Sequence, residues 1–392
     1  MSRWSSGSQS GLREANTAKI VDAVKRFGGL TQVELAEATT LSTATVSAIV
    51  KELSLSGLVE THPTSRSGRR AQLVTIARRA GLVAAVHIGS RSMRVRLNDV
   101  GQSVLADRSM PLPADHAEDT VLDRITLLII EMLDMIAAQA DELIGLCIAI
   151  PAPIDPDTGL VAYPGVMRRW ESQPIAAVVE QRLGCPVLVE KDANLAALAE
   201  ATLGTARDVS DSLFINASYT TSAGVIIDSR LYRGRGGTAG EIGHVQVDPA
   251  GSICPCGQRG CLETVVGAEA VTAPLRAAYG QVTFKDVIAR AAAGDPGCAR
   301  VVSDAGATLG RVVAGVCQTL DPEIITIGGE LTDAGPVFLL PFGAALREHA
   351  PQRRAPRREP IPASFGKDTV LVGATIHILQ STDPSQLLEG RS

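Results

Sequence analysis

The chain has no long hydrophobic run. A membrane-spanning helix needs about 20 consecutive apolar residues. The nearest approach, LIGLCIAIPAPI at 143–154, is shorter and is broken by prolines, so it reads as a buried strand. The N-terminus also lacks the apolar stretch of a secretory signal. These absences predict a cytoplasmic protein with no membrane partner, in which thiols stay reduced and disulfides are not expected. Low-complexity runs are scarce and 45% of the residues are apolar, which excludes a disordered chain. A length of 392 residues is enough for about two or three domains. Of the seven cysteines, Cys147, Cys185, Cys298 and Cys317 stand scattered in apolar surroundings and read as core residues.

The net charge of −5 conceals an asymmetry. Residues 1–80 hold eleven Lys and Arg against six Asp and Glu, a balance of +5, whereas the remainder holds 26 against 36, or −10. A basic head on an acidic body implies that only the head meets a polyanion.

The head has helical periodicity. Ile20, Val21, Val24 and Phe27 form a stripe that Gly28-Gly29 ends. Thr31 is placed to cap a second helix with Val33, Leu35 and Ala36 inward, and Ser42 to cap a third that buries Val46, Ile49, Val50 and Leu53. Gly57 closes it. LVETH and AQLVTI then predict a hairpin around a mobile tip, PTSRSGRR. Three helices and a wing make a winged helix-turn-helix over residues 1–80. Its third helix would present Ser42, Thr43, Thr45, Ser47 and Lys51 to a major groove, and its wing would lay Arg66, Arg69 and Arg70 on phosphate or minor groove. Short hydroxyl side chains read bases only modestly, so affinity should lean on phosphate contacts. A small helical module that binds protein is the alternative.

From residue 82 strands and helices alternate. LVAAVHIG, SMRVRLND and SVLADRS predict a three-stranded meander, followed by an amphipathic helix at 119–140 and a buried strand at 143–151. DSLFINA, SAGVIID and RLYRG begin a second set, continued by helices through 264–320 and the strand EIITIGGE at 323–330. Two similar α/β lobes resemble the duplicated ribonuclease-H-like fold of actin and sugar kinases, with a ligand cleft between the lobes.

The stretch GEIGHVQVDPAGSICPCGQRGCLE (240–263) gathers His244, Cys254, Cys256 and Cys261. In a reducing compartment, three thiolates and an imidazole are a sound ligand set for tetrahedral zinc. Four protein ligands leave no open position, so such a metal would be structural. Four unligated side chains are the alternative.

GEIGH (240–244), CPCGQRGCLE (254–263), KDANLAALAE (191–200), LYRG (231–234) and IGGE (327–330) together resemble the ROK family (repressor, open reading frame, kinase), in particular its transcriptional regulators. The resemblance spans nearly the whole chain. It implies a ROK body over 81–392 behind the head, with a tail at about 381–392 read as mobile. It also implies a structural zinc on His244, Cys254, Cys256 and Cys261, and a sugar edge formed by Asp192, Glu241, His244 and Glu263. Carboxylates suit that task because they accept several hydroxyl hydrogen bonds in fixed geometry.

The family contains kinases as well as repressors. Kinase members carry Asp-x-Gly-Gly-Thr after the first strand, where this chain has HIGSR, with His87, Ser90 and Arg91 replacing the Asp, the second Gly and the Thr. Their second phosphate loop resembles Gly-Thr-Gly-x-Gly-Gly-Gly, and here SYTTSAG (218–224) retains only Gly224. Phosphate loops need backbone amides to approach the anion closely, so both losses argue against phosphoryl transfer. Kinases also place Asn before the catalytic Asp, where this chain has Lys191, and YPGVMRRW (163–170) adds Arg168 and Arg169. A cation there either reads a phosphorylated or acidic sugar or pairs with Asp192 without any ligand.

The expectation is a DNA-binding regulator, a repressor, that responds to a sugar or sugar derivative. Its partners would be operator DNA, a sugar or sugar-phosphate effector and a second copy of itself, as a homodimer or homotetramer, since one winged helix reads few base pairs. The alternatives are an active ATP-dependent sugar kinase and an effector-blind regulator whose body serves only assembly. The arginine run PQRRAPRREP (351–360) reads as a solvated loop.

Overall fold

The computed structural model describes residues 9–66, 69–77, 80–113, 116–162, 167, 169–349 and 359–382. The head runs α1 (Gln9–Phe27), β1 (Leu30–Thr31), α2 (Gln32–Thr39), α3 (Thr43–Leu55), β2 (Val59–Arg66) and β3 (Arg69–Ile76). Both expected caps form. The Thr31 hydroxyl accepts the Glu34 amide at 3.3 Å. Glu34 reaches back to the Thr31 amide at 2.7 Å, which completes a reciprocal capping box. Ser42 Oγ accepts the Thr45 amide at 3.1 Å. Between them Thr40 adopts φ 57° and makes the sharp turn that separates α2 from α3.

Two head expectations change. Val33 is 60% exposed rather than inward, because the capped first turn of the short α2 faces out and Leu35, fully buried, does the packing. The wing is not a short hairpin with a long mobile tip. The strands pair from Val59↔Ile76 through to Arg66↔Arg69, so most of that tip is ladder, and only residues 67–68 between the strands lie outside the described set.

The first lobe comprises β4 (Leu82–Ile88), β5 (Ser92–Asp99), β6 (Val104–Pro111), α4 (Glu118–Met135), β7 (Leu143–Ile150), α5 (Ile175–Leu183), β8 (Val187–Lys191) and α6 (Asp192–Thr202). The second comprises β9 (Ser212–Ala217), β10 (Thr221–Ile227), β11 (Arg230–Leu231), the short helices α7 (Glu263–Val266), α8 (Ala268–Thr272) and α9 (Arg276–Tyr279), then α10 (Phe284–Ala292), α11 (Pro296–Leu320), β12 (Ile324–Gly328), α12 (Pro336–His349), β13 (Ile361–Pro362) and α13 (Thr369–Ser381). The sheets run β6-β5-β4-β7-β8 and β11-β10-β9-β12-β13. Each is an antiparallel meander extended by two parallel strands, so the duplication expected from the strand pattern is present. Cys147, Cys185, Cys298 and Cys317 are buried, as expected. No helix among the described residues is long and apolar enough to cross a membrane.

Helix α13 closes the chain back onto the first lobe, packing on α6, β4 and β7. The approach to α6 is close enough to exclude any side chain at Gly373: a Cβ there would lie 1.8 Å from the Leu195 carbonyl oxygen. Arg94 and Arg96 hold the start of α13 through Asp368, at 2.7 and 3.1 Å. The head then docks on the other end of the helix. Lys25, only 1% exposed, donates from Nζ to the Thr382 carbonyl at 2.7 Å. There the cation also meets the negative end of the helix dipole. Gln102, in the β5–β6 turn, donates to the Lys25 carbonyl at 2.6 Å, satisfying a carbonyl at the end of α1. The apolar residues of the head form one continuous core with Val83, Ala85, Leu195, Leu371, Ile378 and Leu379 of the body.

Candidate functional site

In the head, helix α3 buries Val46, Ile49, Val50 and Leu53. Thr43, Ser47 and Lys51, spaced four apart, therefore share the opposite, exposed face. Ser42 is exposed but partly engaged, its Oγ lying 2.8 Å from Thr45 Oγ1. Arg66, Arg69 and Arg70 sit at the end of the wing ladder, with Ser65↔Arg70 and Arg66↔Arg69 in register. Arg13 of α1 pairs with Glu52 of α3 and ties the two helices together.

In the body, the tight 3-10 turn Ile242–His244 carries Glu241 at its start and His244 at its end. The following loop wraps back on itself. Cys254 N–H donates to Gln258 O at 2.8 Å, and Gly260 N–H donates to Ser252 O at 2.8 Å. Gly260 has φ +67°, and a Cβ there would sit 1.5 Å from the Asp248 carbonyl oxygen. Only glycine meets both conditions. The loop brings His244, Cys254, Cys256 and Cys261 together, their ligand atoms all within 4.8 Å of one another. These four residues could hold a metal ion. Burial pushes the Cys254 thiol up to about 12 and also raises Cys261. Neutral thiols do not ligate, so a bound cation is what would draw them into the thiolate form.

Next to the cluster lies a small cleft of about 80 Å³, lined by Pro151, Thr220, Thr221, Ser222, Glu241, His244, Pro255 and Glu263. Three of the expected effector residues, Glu241, His244 and Glu263, thus converge. His244 directs Nδ1 to the Cys254 sulfur at 3.6 Å and leaves Nε2 3.9 Å from Glu241 Oε2. One ring edge serves the cysteines and the other faces the cleft. Glu263 accepts the Thr221 amide at 2.8 Å and is pushed up to about 7 by burial, with the neighbouring Glu241 charge adding to the rise.

The other two expected residues are placed differently. Lys191, at the end of β8, is 1% exposed and bonds from Nζ to Ala239 O at 2.6 Å and to Glu241 Oε1 at 3.0 Å. Two readings are open from the sequence, an anion receptor and a partner of Asp192, and the pairing differs from the second: the lysine pairs with Glu241, whose side chain lines the cleft. Lys191→Met would leave Glu241 half-sequestered without its counter-charge, and urea unfolding should register a loss of about 3–5 kcal/mol. An unchanged unfolding midpoint would mean that Glu241 does not depend on the pair.

Asp192 begins α6 and does not line the small cleft. Its Oδ1 accepts the Ala193 amide at 2.6 Å, and its Oδ2 accepts from Asn216 Nδ2 at 3.3 Å. His87, standing where kinases have a carboxylate, places Nε2 3.9 Å from Asp192 Oδ2, and this buried nitrogen has no hydrogen-bond partner among the described residues. Of the two arginines in the 163–170 segment, Arg169 is exposed and Arg168 lies outside the described residues. The arginines at 353–358 and the tail from 383 lie outside them too.

The segment 218–224, read from the sequence as a degenerate phosphate loop, is a half-buried turn followed by the start of a strand. Residues 218–220 form the turn between β9 and β10, with Tyr219 against Phe284 at 5.0 Å between ring centroids. Gly224 is a strand residue paired with Phe214, and a Cβ there would sit 2.1 Å from the Ala193 carbonyl, so its glycine serves sheet-to-helix packing. Gly329, with φ +98° and a Cβ position 2.4 Å from Ala217 O, is likewise required by the turn. In the sequence, 218–224 stands out only as a lost phosphate loop. Its second role, in which Thr220, Thr221 and Ser222 line the cleft, has no sequence signal, because only the fold sets that hairpin beside Glu263.

The ROK family profile matches residues 83–381, the whole two-lobed body and α13. The chain belongs to the ROK family. A MarR-family profile matches residues 14–70, over the winged helix-turn-helix. The chain is 29% identical over 352 residues to the DNA-binding transcriptional dual regulator NagC of Escherichia coli K12, covering 86% of each protein. It is 25% identical over 377 residues to the xylose repressor of Bacillus spizizenii, covering 95% of this chain and 97% of that one. Among solved structures, a ROK transcriptional regulator described as a homologue of the Escherichia coli MLC protein superposes with a TM-score of 0.75 at 27% identity, covering 97% of this chain and 98% of that one. A ROK glucokinase from Streptomyces griseus, in complex with glucose and AMPPNP, superposes with a TM-score of 0.66 at 26% identity, covering 75% of this ROK chain and 98% of the kinase. The kinase corresponds to the body without the head.

Proposed function

We propose that this ROK protein is a DNA-binding repressor whose operator affinity is set by a sugar bound in the body cleft. The observation that carries the reading is the coexistence, in one folded chain, of a winged helix-turn-helix with an exposed α3 face and a ROK body in which the carboxylates Glu241 and Glu263 line a cleft. Relatives named as a regulator and as a xylose repressor, matching over most of the chain, support it. Without a phosphate site Asp192 has no donor to act on, so the body senses rather than phosphorylates.

The metal in this reading is a structural zinc. In a tetrahedral site with Zn–S of about 2.3 Å and Zn–N of about 2.0 Å, ligand atoms stand about 3.5–3.8 Å apart. Cys256 and Cys261 sulfurs are 3.7 Å apart and Cys254 Sγ is 3.6 Å from His244 Nδ1, so the donor set fits. Zinc there would hold the His244 ring and, through the turn, Glu241 at the cleft edge.

A ligand alters operator affinity only through differential affinity for the DNA-competent and incompetent states. The path open to it is short: β8 and α6 run from the cleft edge, α13 packs on α6, and Lys25 docks the head on α13. Assembly into a dimer would let such a shift change the spacing of two heads on a palindromic site. Glu241→Ala and Glu263→Ala should retain operator binding and lose its response to sugar. The measurement is operator affinity with and without each of a panel of carbohydrates, including xylose and N-acetylglucosamine. If no carbohydrate moves operator affinity in the unmodified protein, the sensing reading fails; phosphorylation of a sugar in a coupled ATP assay would restore the kinase alternative.

A further inference from the structure

A cavity much larger than the cleft beside Glu241 and Glu263 lies elsewhere in the molecule. It lies where the head meets the body, measures about 830 Å³, and takes its walls from both. Helix α1 and the turn after α2 form one side; α6, the β10–β11 hairpin and α13 form the other. Its volume falls in the range of about 300–1,000 Å³ typical of small-molecule sites.

The lining is one-sided in charge. Lys19, Lys25 and Arg26 come from the head and Arg207, Arg230 and Arg233 from the body, with Asp22 the one acidic residue in the described lining. Some of this charge is already matched. Lys25 is committed to the Thr382 carbonyl, Arg233 to the buried Glu190 carboxylate at 2.5 Å, and Arg207 is loosely paired with the exposed Asp208 at 3.4 Å. Arg26 lies over the Phe27 ring, 5.3 Å from its centroid, and neither it nor Lys19 or Arg230 has an ion-pair partner among the described residues. The body as a whole carries an excess of acid, so a basic wall on it is not a by-product of composition. Cations facing one another across a shared cavity repel, and an anion between them converts that repulsion into charge-assisted hydrogen bonds on both sides.

Duplex DNA is a poor occupant. A double helix is convex and wider than this recess, and none of the α3 residues that face the groove lines it. We propose that the head–body junction is a second ligand site, for a small phosphorylated metabolite with anionic groups at both ends. The head supplies Lys19 and Arg26 and the body supplies Arg230 and Arg207, so an occupant bridges the two and holds the head at one angle. The site is separate from the sugar cleft and does not rest on that assignment.

The test is calorimetry on the full chain at constant ionic strength, with fructose 1,6-bisphosphate and inorganic pyrophosphate as probes and fructose as the uncharged control. The expected result is saturable binding of the bisphosphate, none of fructose, and at least a tenfold weaker Kd in Arg230→Gln and in Lys19→Gln. Both side chains are solvent-accessible, so the variants should melt like the parent, and a melt on each verifies this. The proposal is overturned if neither anionic probe binds, or if binding is unaffected by both substitutions. It is also overturned if binding disappears in Glu263→Gln instead, which would put the probe in the sugar cleft. Weaker operator binding by the two variants, with both probes silent, would overturn it as well, by assigning the cations to the DNA backbone.

Discussion

Cys256→Ser is expected to empty the metal site and to lower stability and effector response together. Apart from Val247, which packs on the core of the second lobe, the loop from Val245 to Gly260 has little else to hold it. Val245 and Ile253 are 44% and 60% exposed, and the loop's backbone bonds close only on itself or on its own edges. Removing one of four ligands should release the ion and leave three buried or half-buried donors without a cation, at a cost of about 3–5 kcal/mol, in line with other lost metal sites. For a body of this size that corresponds to roughly 5–8 °C in melting temperature. The His244 ring would then lose its fixed orientation, and with it the turn that carries Glu241, so sugar should cease to move operator affinity even where the variant still binds DNA. Elemental analysis of the purified parent should find one zinc per chain. Its absence there would remove the metal from the account altogether.

Replacing both Arg69 and Arg70 with alanine should weaken operator binding and flatten its salt dependence without changing which sequence is preferred. Each neutralised phosphate contributes about 0.9 to the slope of log K against log salt, so losing two contacts lowers the slope by about 1.8. At about 0.1 M salt the same terms amount to a loss of roughly 60-fold. The long β2–β3 ladder makes the prediction sharper than a mobile tip would, because the arginine positions are held in paired strands. Substitutions at Thr43 or Ser47, on the exposed face of α3, should instead shift base preference with the slope retained. Fluorescence anisotropy across a salt series on operator and scrambled DNA separates the two outcomes. An unaltered slope in the double variant would take the wing off the DNA.

Much of this architecture was legible in the residues because its signals are local. The caps at Thr31 and Ser42, the stripe Val46, Ile49, Val50 and Leu53, and the alternating strands of both meanders depend on near neighbours in sequence, and each appeared where the pattern placed it. The metal cluster was legible for the same reason: its four donors lie in one short loop whose glycines force it to wrap. Long-range pairings carried no such mark. Lys191 stands next to Asp192 in the chain, yet its side chain finds Glu241, fifty residues on, because β8 ends beside the turn that bears that carboxylate. Val33 has the composition of a core residue and faces out, since the orientation of a two-turn helix is set by its cap and its neighbours rather than by its own apolar content. The joining of head to body belongs to tertiary structure entirely. Nothing in the sequence around Lys25 or Thr382 announces that the start and the end of the chain meet, and that contact exists only because α13 folds back across the first lobe and offers its carboxyl end to α1. The residues specified a winged head, a loop that gathers three cysteines and a histidine, and a two-lobed body; three-dimensional packing alone decided how the head sits on the body, because that depends on contacts between segments far apart in the chain.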